Sequence, residues 1–180
     1  MPRWVPNALT GLRFVLVPFV LGAIATGHPT LALSLFACAA VTDVLDGATA
    51  RHFKLASATG AYLDPIADKV LLSGVFLALA VSGSVPWWLV GLILGRDVYI
   101  LLGVGAFLWL TAIRAFPPSW WGKASTLIQV TTAVLWMGRN SFGGPVLDAL
   151  ANAFLWPCAA FTVASGLHYT WRGAQLARAH

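Results

Sequence analysis

The sequence predicts an all-α, polytopic integral membrane protein: a bundle of six transmembrane helices preceded by a short interfacial amphipathic helix. Composition is the first observation behind this fold class. The 180 residues are 59% hydrophobic and only 9% charged, with nine tryptophans, which lies well outside the usage of soluble domains. The second observation is that several apolar segments approach the roughly 20 residues that a helix needs to cross a bilayer.

The elements follow in chain order as one membrane domain over residues 1–180. Arg3 and Trp4 suit an interfacial segment over residues 1–11. Turns at Gly27, Gly83 and Gly143 separate apolar segments. We expect a six-helix bundle over about residues 12–171, followed by a cytoplasmic tail over 172–180. The expected spans cover about residues 12–26, 30–50, 60–81, 87–110, 119–137 and 145–171.

Charge is the basis of the expected orientation. The net charge of +5 is carried by scattered basic residues, which favours a membrane surface and phosphate-bearing substrates over nucleic acid. An amino terminus in the cytoplasm would leave only Arg139 among the loop basic residues on the opposite side. Because basic residues concentrate on the cytoplasmic side of membrane proteins, this distribution predicts that orientation. We therefore expect an integral protein of a bacterial inner membrane, with its amino terminus and active site cytoplasmic. The basic residues on that side are Arg3, Arg13, Arg51, Lys54, Arg114, Lys123, Arg172 and Arg178.

Four of the six carboxylates in the chain lie close together in an otherwise apolar region: Asp43, Asp46, Asp64 and Asp68. The first pair is three residues apart and the second pair four, so each pair would share one face of a helix. A polar connection between the pairs would allow a helical hairpin that brings them face to face. Four carboxylates in a low-dielectric pocket need counter-charge.

The chemistry of these carboxylates favours certain metals and leaves other roles open. All-oxygen ligation suits magnesium, manganese or calcium, and a local His/Cys cluster that would favour zinc is absent from the sequence. Two bridged ions would fit phosphoryl or phosphatidyl transfer. Structural ion pairs with nearby basic residues, such as Lys69 or Arg96, are one alternative. A transporter or ion pathway is another, but it would predict inverted repeats, which the sequence does not show.

The segment from Asp43 to Asp68 reads D-x2-D-G-x2-A-R-x8-G-x3-D-x3-D. This spacing resembles the signature of the CDP-alcohol phosphotransferases at every defined position. The resemblance covers about residues 6–170. Residues 6–13 look like the amino-terminal segment of the family. Gly122 and Lys123, with Thr126 and Gln129, are similar to a later motif of the phosphatidylglycerophosphate and cardiolipin synthases.

The resemblance implies a phosphatidyl transfer in phospholipid biosynthesis, from CDP-diacylglycerol to an alcohol with release of CMP. It implies two divalent cations, Mg²⁺ or Mn²⁺, held by the four aspartates, and a homodimer. Asp68 would also be the general base, and Arg51 would contact the diphosphate. The implied donor site comprises Asp43, Asp46, Gly47, Ala50, Arg51 and Gly60.

The acceptor is the open part of this interpretation. The Gly95-Arg96-Asp97 segment and residues 162–169 look most like the cardiolipin synthases, which implies phosphatidylglycerol as the acceptor. The alternative is a phosphatidylglycerophosphate synthase that uses glycerol 3-phosphate. Arg96 could instead only pair with Asp97. Candidate acceptor-binding residues are Lys123, Arg96 and Arg114, and candidates at the substrate entrance are Asn7, Thr10 and Arg13.

Overall fold

The computed structural model describes the backbone over residues 5–53, 58–110 and 120–178, and side-chain surroundings at 11, 14–42, 68–103, 105 and 120–175. This part of the chain is all-helical and contains six helices, which confirms the all-α class and the six helices predicted for the bundle. The helices are α1 (Val5–Ala25), α2 (Pro29–Phe53), α3 (Ala58–Val81), α4 (Trp87–Leu110), α5 (Trp120–Phe142) and α6 (Pro145–Arg178).

The amino-terminal helix differs from the prediction. Residues 5–11 are the beginning of α1 and not a separate interfacial helix, so that prediction is wrong over these residues. The physical reason is that nothing between Pro6 and Leu12 stops a helix. Pro6 lies in the first turn, where its missing N–H is tolerated, and Gly11 costs only about 1 kcal/mol relative to alanine.

Two of the predicted turns are glycine-terminated helix ends. Gly27 (φ 72°) follows α1 and Gly83 (φ 75°) follows α3, and L side chains rarely adopt such backbone angles. At the second of these turns, the N–H of Gly83 donates to the Ala80 carbonyl at 3.0 Å, and the N–H of Ser84 donates to the Leu79 carbonyl at 2.9 Å. This pair of bonds is a Schellman motif, which satisfies carbonyls that the helix end would otherwise leave unpaired.

The helices pack as a closed ring in the order α1, α2, α5, α6, α4 and α3, and α3 also contacts α5 across the middle. Large apolar side chains fill the interior, among them Val20, Phe76, Leu89 and Met137, each at most 1% exposed. In this order α2 and α3 flank α1 and both pack on α5. The two helices that carry the four aspartates of the signature therefore both contact α1 and α5.

The outer surface is strongly apolar. Trp120, Leu101 and Trp156 are each more than 70% exposed, and soluble monomers rarely expose apolar surface on this scale. Within the described residues, one stretch, Pro145–Gln175 of α6, is long and apolar enough to cross a membrane. The assignment of all six helices as membrane spans stays a prediction.

A buried polar contact joins α5 to α6. The Gln129 side chain, 3% exposed, donates from Nε2 to Thr162 Oγ1 at 3.1 Å. The same nitrogen lies 3.4 Å from Ser125 Oγ on its own helix. Thr162 in turn donates to the Cys158 carbonyl at 2.7 Å. Because hydrogen bonds between helices stabilise membrane bundles and fix how two helices face each other, this contact sets the register of α5 against α6.

The contact predicts that Thr162→Val destabilises the bundle. Valine keeps the shape but removes the acceptor, which leaves a buried Gln129 donor without that partner. We expect the free energy of unfolding to fall by about 1 kcal/mol, measured as a lower Tm in detergent. The control is Thr131→Val, because the Thr131 hydroxyl bonds only the Leu127 carbonyl of its own helix in the described structure and is partly exposed. Equal Tm changes in the two variants would contradict the structural role.

Candidate functional site

The eight signature positions lie on helices, and their spacing places them on one face of each. On α3, Gly60, Asp64 and Asp68 are separated by four residues each, so they form one stripe. On α2, the intervals are i, i+3, i+4, i+7 and i+8, the pattern of a single helix face. The residues in those five positions are Asp43, Asp46, Gly47, Ala50 and Arg51.

Fewer residues separate α2 from α3 than predicted, because α2 extends to Phe53 and α3 begins at Ala58. Arg51 lies in the last turn of α2 and Gly60 in the first turn of α3, so both belong to helices. Of the stripe residues, Asp68 is within the described side chains and is half-buried. The side chains of Asp43, Asp46, Gly47, Ala50, Arg51, Gly60 and Asp64 lie outside them. The predicted convergence of the four carboxylates into one metal pocket therefore stays a prediction.

A cluster of charged and polar side chains includes Lys69, the residue that follows Asp68 on α3. We call Lys69, Arg96, Asp97 and Ser165 the Asp97 cluster. Asp97 Oδ1 accepts from Lys69 Nζ at 2.9 Å and from Arg96 Nη1 at 2.7 Å. Arg96 also donates from Nη2 to Ser165 Oγ. The cluster thus connects α3, α4 and α6 at the position where α3 carries Asp68.

Two cations of the Asp97 cluster share one carboxylate. The carboxylate of Asp68 precedes Lys69 on α3. The Arg96 side chain is 10% exposed and that of Asp97 17%, whereas Lys69 is 51% exposed. The Nε atom of Arg96 is buried and has no hydrogen-bond partner in the described part of the chain. A guanidinium held in one orientation with an unused donor is suited to bind an anionic oxygen.

The other candidate residues are distributed over the chain. Lys123 is exposed near the start of α5. Arg114 lies outside the described residues. Asn7, Thr10 and Arg13 belong to α1, but their side chains lie outside the described part. Gln129, which the sequence groups with Lys123, forms the contact between α5 and α6.

The sequence indicates the Arg96–Asp97 pair but not its partners. Lys69 is 28 residues from Asp97, and Ser165 is 69 residues from Arg96. No local pattern connects positions so far apart, because only the packing of three helices brings them together. The sequence offers one signal for the Lys69–Asp97 bond: the two residues have opposite charges and lie on consecutive helices, α3 and α4.

Comparisons with known proteins show which family the chain belongs to. A family model described as CDP-alcohol phosphatidyltransferase matches residues 3–164. A probable phosphatidylglycerophosphate synthase from Mycobacterium tuberculosis is 38% identical over 174 residues, covering 92% of this chain and 79% of the relative. A probable cardiolipin synthase (CMP-forming) from Drosophila melanogaster is 35% identical over 181 residues, covering 89% of this chain and 54% of the relative.

A third relative has nearly the same length as the chain. It is the CDP-diacylglycerol–glycerol-3-phosphate 3-phosphatidyltransferase of Rickettsia felis, 32% identical over 168 residues, and the match covers 91% of this chain and 92% of the relative. The family model extends across the signature stripes of α2 and α3 and includes Lys69, Arg96 and Asp97 of the Asp97 cluster. On these grounds the chain belongs to the CDP-alcohol phosphatidyltransferase family.

Proposed function

We propose that this membrane enzyme transfers the phosphatidyl group of CDP-diacylglycerol to a glycerol-based alcohol and releases CMP. The observation that carries the proposal is the placement of all eight signature residues on one face of α2 and one face of α3. Membership of a transferase family supports it, and so do relatives named for phospholipid synthesis. The same membership favours transfer over the ion pathway that intramembrane charges alone could also form.

The donor would bind along the α2 stripe. Gly47 and Ala50 have small side chains on the face that carries Asp43 and Asp46, which would leave room for the cytidine nucleotide. Arg51 follows on the same face, and its planar fork of donors suits a diphosphate. Gly60 begins the α3 stripe, which would face the α2 stripe, and the absence of a side chain there would also widen the cleft.

Four carboxylates fit two hard divalent cations, Mg²⁺ or Mn²⁺, because their donor set consists only of oxygen atoms. Asp43, Asp46, Asp64 and Asp68 would hold them. When bound, such ions neutralise a diphosphate and the charge that develops on the leaving group. The chain has no glutamate and only six acidic residues in total, so this set uses most of its carboxylates.

The reaction would proceed by attack of an alcohol oxygen on the phosphorus of the diacylglycerol side. A new oxygen–phosphorus bond forms, the bond to the CMP oxygen breaks, and CMP leaves with that electron pair. Asp68 would accept the proton of the attacking hydroxyl. It lies one helical turn beyond Asp64 on α3, so it would reach toward the acceptor while remaining beside the donor.

The acceptor would contact the Asp97 cluster. Arg96 has a buried donor, Nε, without a partner in the described structure, which supports binding of a phosphate oxygen. Lys123 and Arg114 are further candidates for this contact, and Asn7, Thr10 and Arg13 for the entrance. We propose phosphatidylglycerol as the acceptor and cardiolipin as the product. The mycobacterial relative named phosphatidylglycerophosphate synthase makes glycerol 3-phosphate the second candidate.

The membrane arrangement is part of the proposal. Six helices would span a bacterial inner membrane, with the amino terminus and the two stripes at the cytoplasmic side, and two copies would form a homodimer. The strongly exposed apolar surface of the described helices supports contact with lipid. The distribution of basic residues, with only Arg139 on the far side, supports the orientation.

Purified protein in detergent tests this function directly. With CDP-diacylglycerol and Mg²⁺, we expect CMP release that depends on phosphatidylglycerol, with cardiolipin as the lipid product. Chelator should abolish release, and Mg²⁺ or Mn²⁺ should restore it. Release only with glycerol 3-phosphate would select the second candidate. No release with either acceptor would overturn the proposed transfer, and full release in chelator would overturn the metal requirement.

The role of Asp68 can be separated from metal ligation. We expect Asp68→Asn to lose about 100-fold or more in turnover, the range of a missing general base, while metal-dependent CDP-diacylglycerol binding persists. Asp64→Asn should lose both turnover and donor binding. The measurement is a donor-binding titration at saturating Mg²⁺ beside the turnover assay. Asp148→Asn is the control, because Asp148 pairs with Arg139 where α5 meets α6. Normal turnover in Asp68→Asn would remove its assignment as base.

A further inference from the structure

We propose that Asp97 is a positioning residue that fixes the separation between Asp68 on α3 and Arg96 on α4. The inference rests on the proposed function, in which Asp68 takes the acceptor proton and Arg96 binds the acceptor phosphate. Asp97 itself touches neither substrate in this proposal. It acts through the two cations that its Oδ1 atom binds, Lys69 at 2.9 Å and Arg96 at 2.7 Å.

The first link is between Asp97 and the backbone of α3. Lys69 is the residue after Asp68, so a bond to the Lys69 ammonium holds the helical turn that carries Asp68. That bond crosses from α3 to α4. A change in the distance between these helices would move Asp68 relative to any group bound on α4. Misplacement of a reacting group by about 1 Å can cost about 100-fold in rate.

The second link orients the guanidinium of Arg96. Asp97 holds Nη1 and Ser165 holds Nη2, so the guanidinium is held by neighbours on α4 and α6. A planar fork held at two nitrogens cannot rotate without breaking a bond. Only Nε remains without a protein partner in the described residues. Asp97 therefore determines the direction in which Arg96 can offer this donor to an acceptor.

Electrostatics explains how the Asp97 carboxylate can hold both Lys69 and Arg96 and why removing it would disturb both. With Asp97 present, its negative charge lies between two cations. Without it, the ammonium of Lys69 and the guanidinium of Arg96 would repel each other at close range in a partly desolvated site. Lys69 is 51% exposed and can turn outward, whereas the Arg96 side chain is 10% exposed. The expected response is release of α3 from α4, with Arg96 left in place but less well oriented.

The chain offers a matched control in a second ion pair between helices. Arg139 on α5 donates to Asp148 on α6. Its guanidinium also lies 4.6 Å from the centre of the Trp136 ring. This pair likewise ties two helices through a carboxylate, but neither residue belongs to the Asp97 cluster or to the signature stripes. Asp148→Asn therefore reports what the loss of an ion pair between helices does to the bundle in general.

The experiment compares Asp97→Asn, Asp97→Glu, Lys69→Gln and Asp148→Asn with the wild type in detergent. We measure kcat, the KM of donor and acceptor, and Tm. Asp97→Asn should lower kcat about tenfold or more and raise the acceptor KM, with little change in the donor KM. Asp97→Glu should recover part of both losses. Lys69→Gln should lower kcat alone, because the Arg96–Asp97 bond persists.

Several outcomes would overturn the inference. One is unchanged kinetics in Asp97→Asn. Another is a loss of activity that follows Tm equally in Asp97→Asn and Asp148→Asn, with no recovery in Asp97→Glu. If Asp97→Asn does not fold, Lys69→Gln still decides, because normal kcat in that variant would remove the link to α3. Failure of the proposed function is a separate result, since it would appear as absence of CMP release in the wild type.

Discussion

The arrangement of this protein depends on one constraint: burying a polar group of a helix inside an apolar bundle costs free energy unless the group finds a partner within the protein. Three of the polar contacts between the described helices illustrate this constraint. Asp97 binds cations of α3 and α4, Gln129 donates to Thr162 between α5 and α6, and Arg139 pairs with Asp148 between the same two helices. Each contact joins neighbours in the ring, so satisfying the polar groups also determines which helices face each other.

The same constraint explains the form of the signature. A motif that must present several side chains to one cleft can use only one face of each helix, and the intervals along α2 and α3 follow the helical period. Gly47 and Ala50 share that face of α2 with Asp43 and Asp46. The core of the described residues is packed by side chains at other positions, among them Val20, Phe76 and Leu89.

Much of the fold could be predicted from the sequence because it depends on local features. The helix ends at Gly27 and Gly83 follow from backbone angles that glycine adopts readily. The apolar runs that such turns separate along the chain predict the number of helices. The separate interfacial helix was wrong because composition changes near residue 11 without any residue that stops a helix. The bonds of Lys69 and Ser165 could not be predicted, because they depend on the packing order of helices that are distant in sequence.

The proposed function would give the likeness to both cardiolipin and phosphatidylglycerophosphate synthases a physical explanation in the site itself. Phosphatidylglycerol and glycerol 3-phosphate both present a glycerol phosphate, so a guanidinium such as that of Arg96 would bind either. Discrimination would then depend on surfaces that accept or exclude a diacylglycerol. Leu101 and Leu102 on α4 and Leu167 on α6 are each at least 66% exposed, and they lie on the two helices that hold Arg96. Under the proposed function, the choice of acceptor would therefore depend on the exposed apolar sides of α4 and α6 more than on the charges that would bind the phosphate.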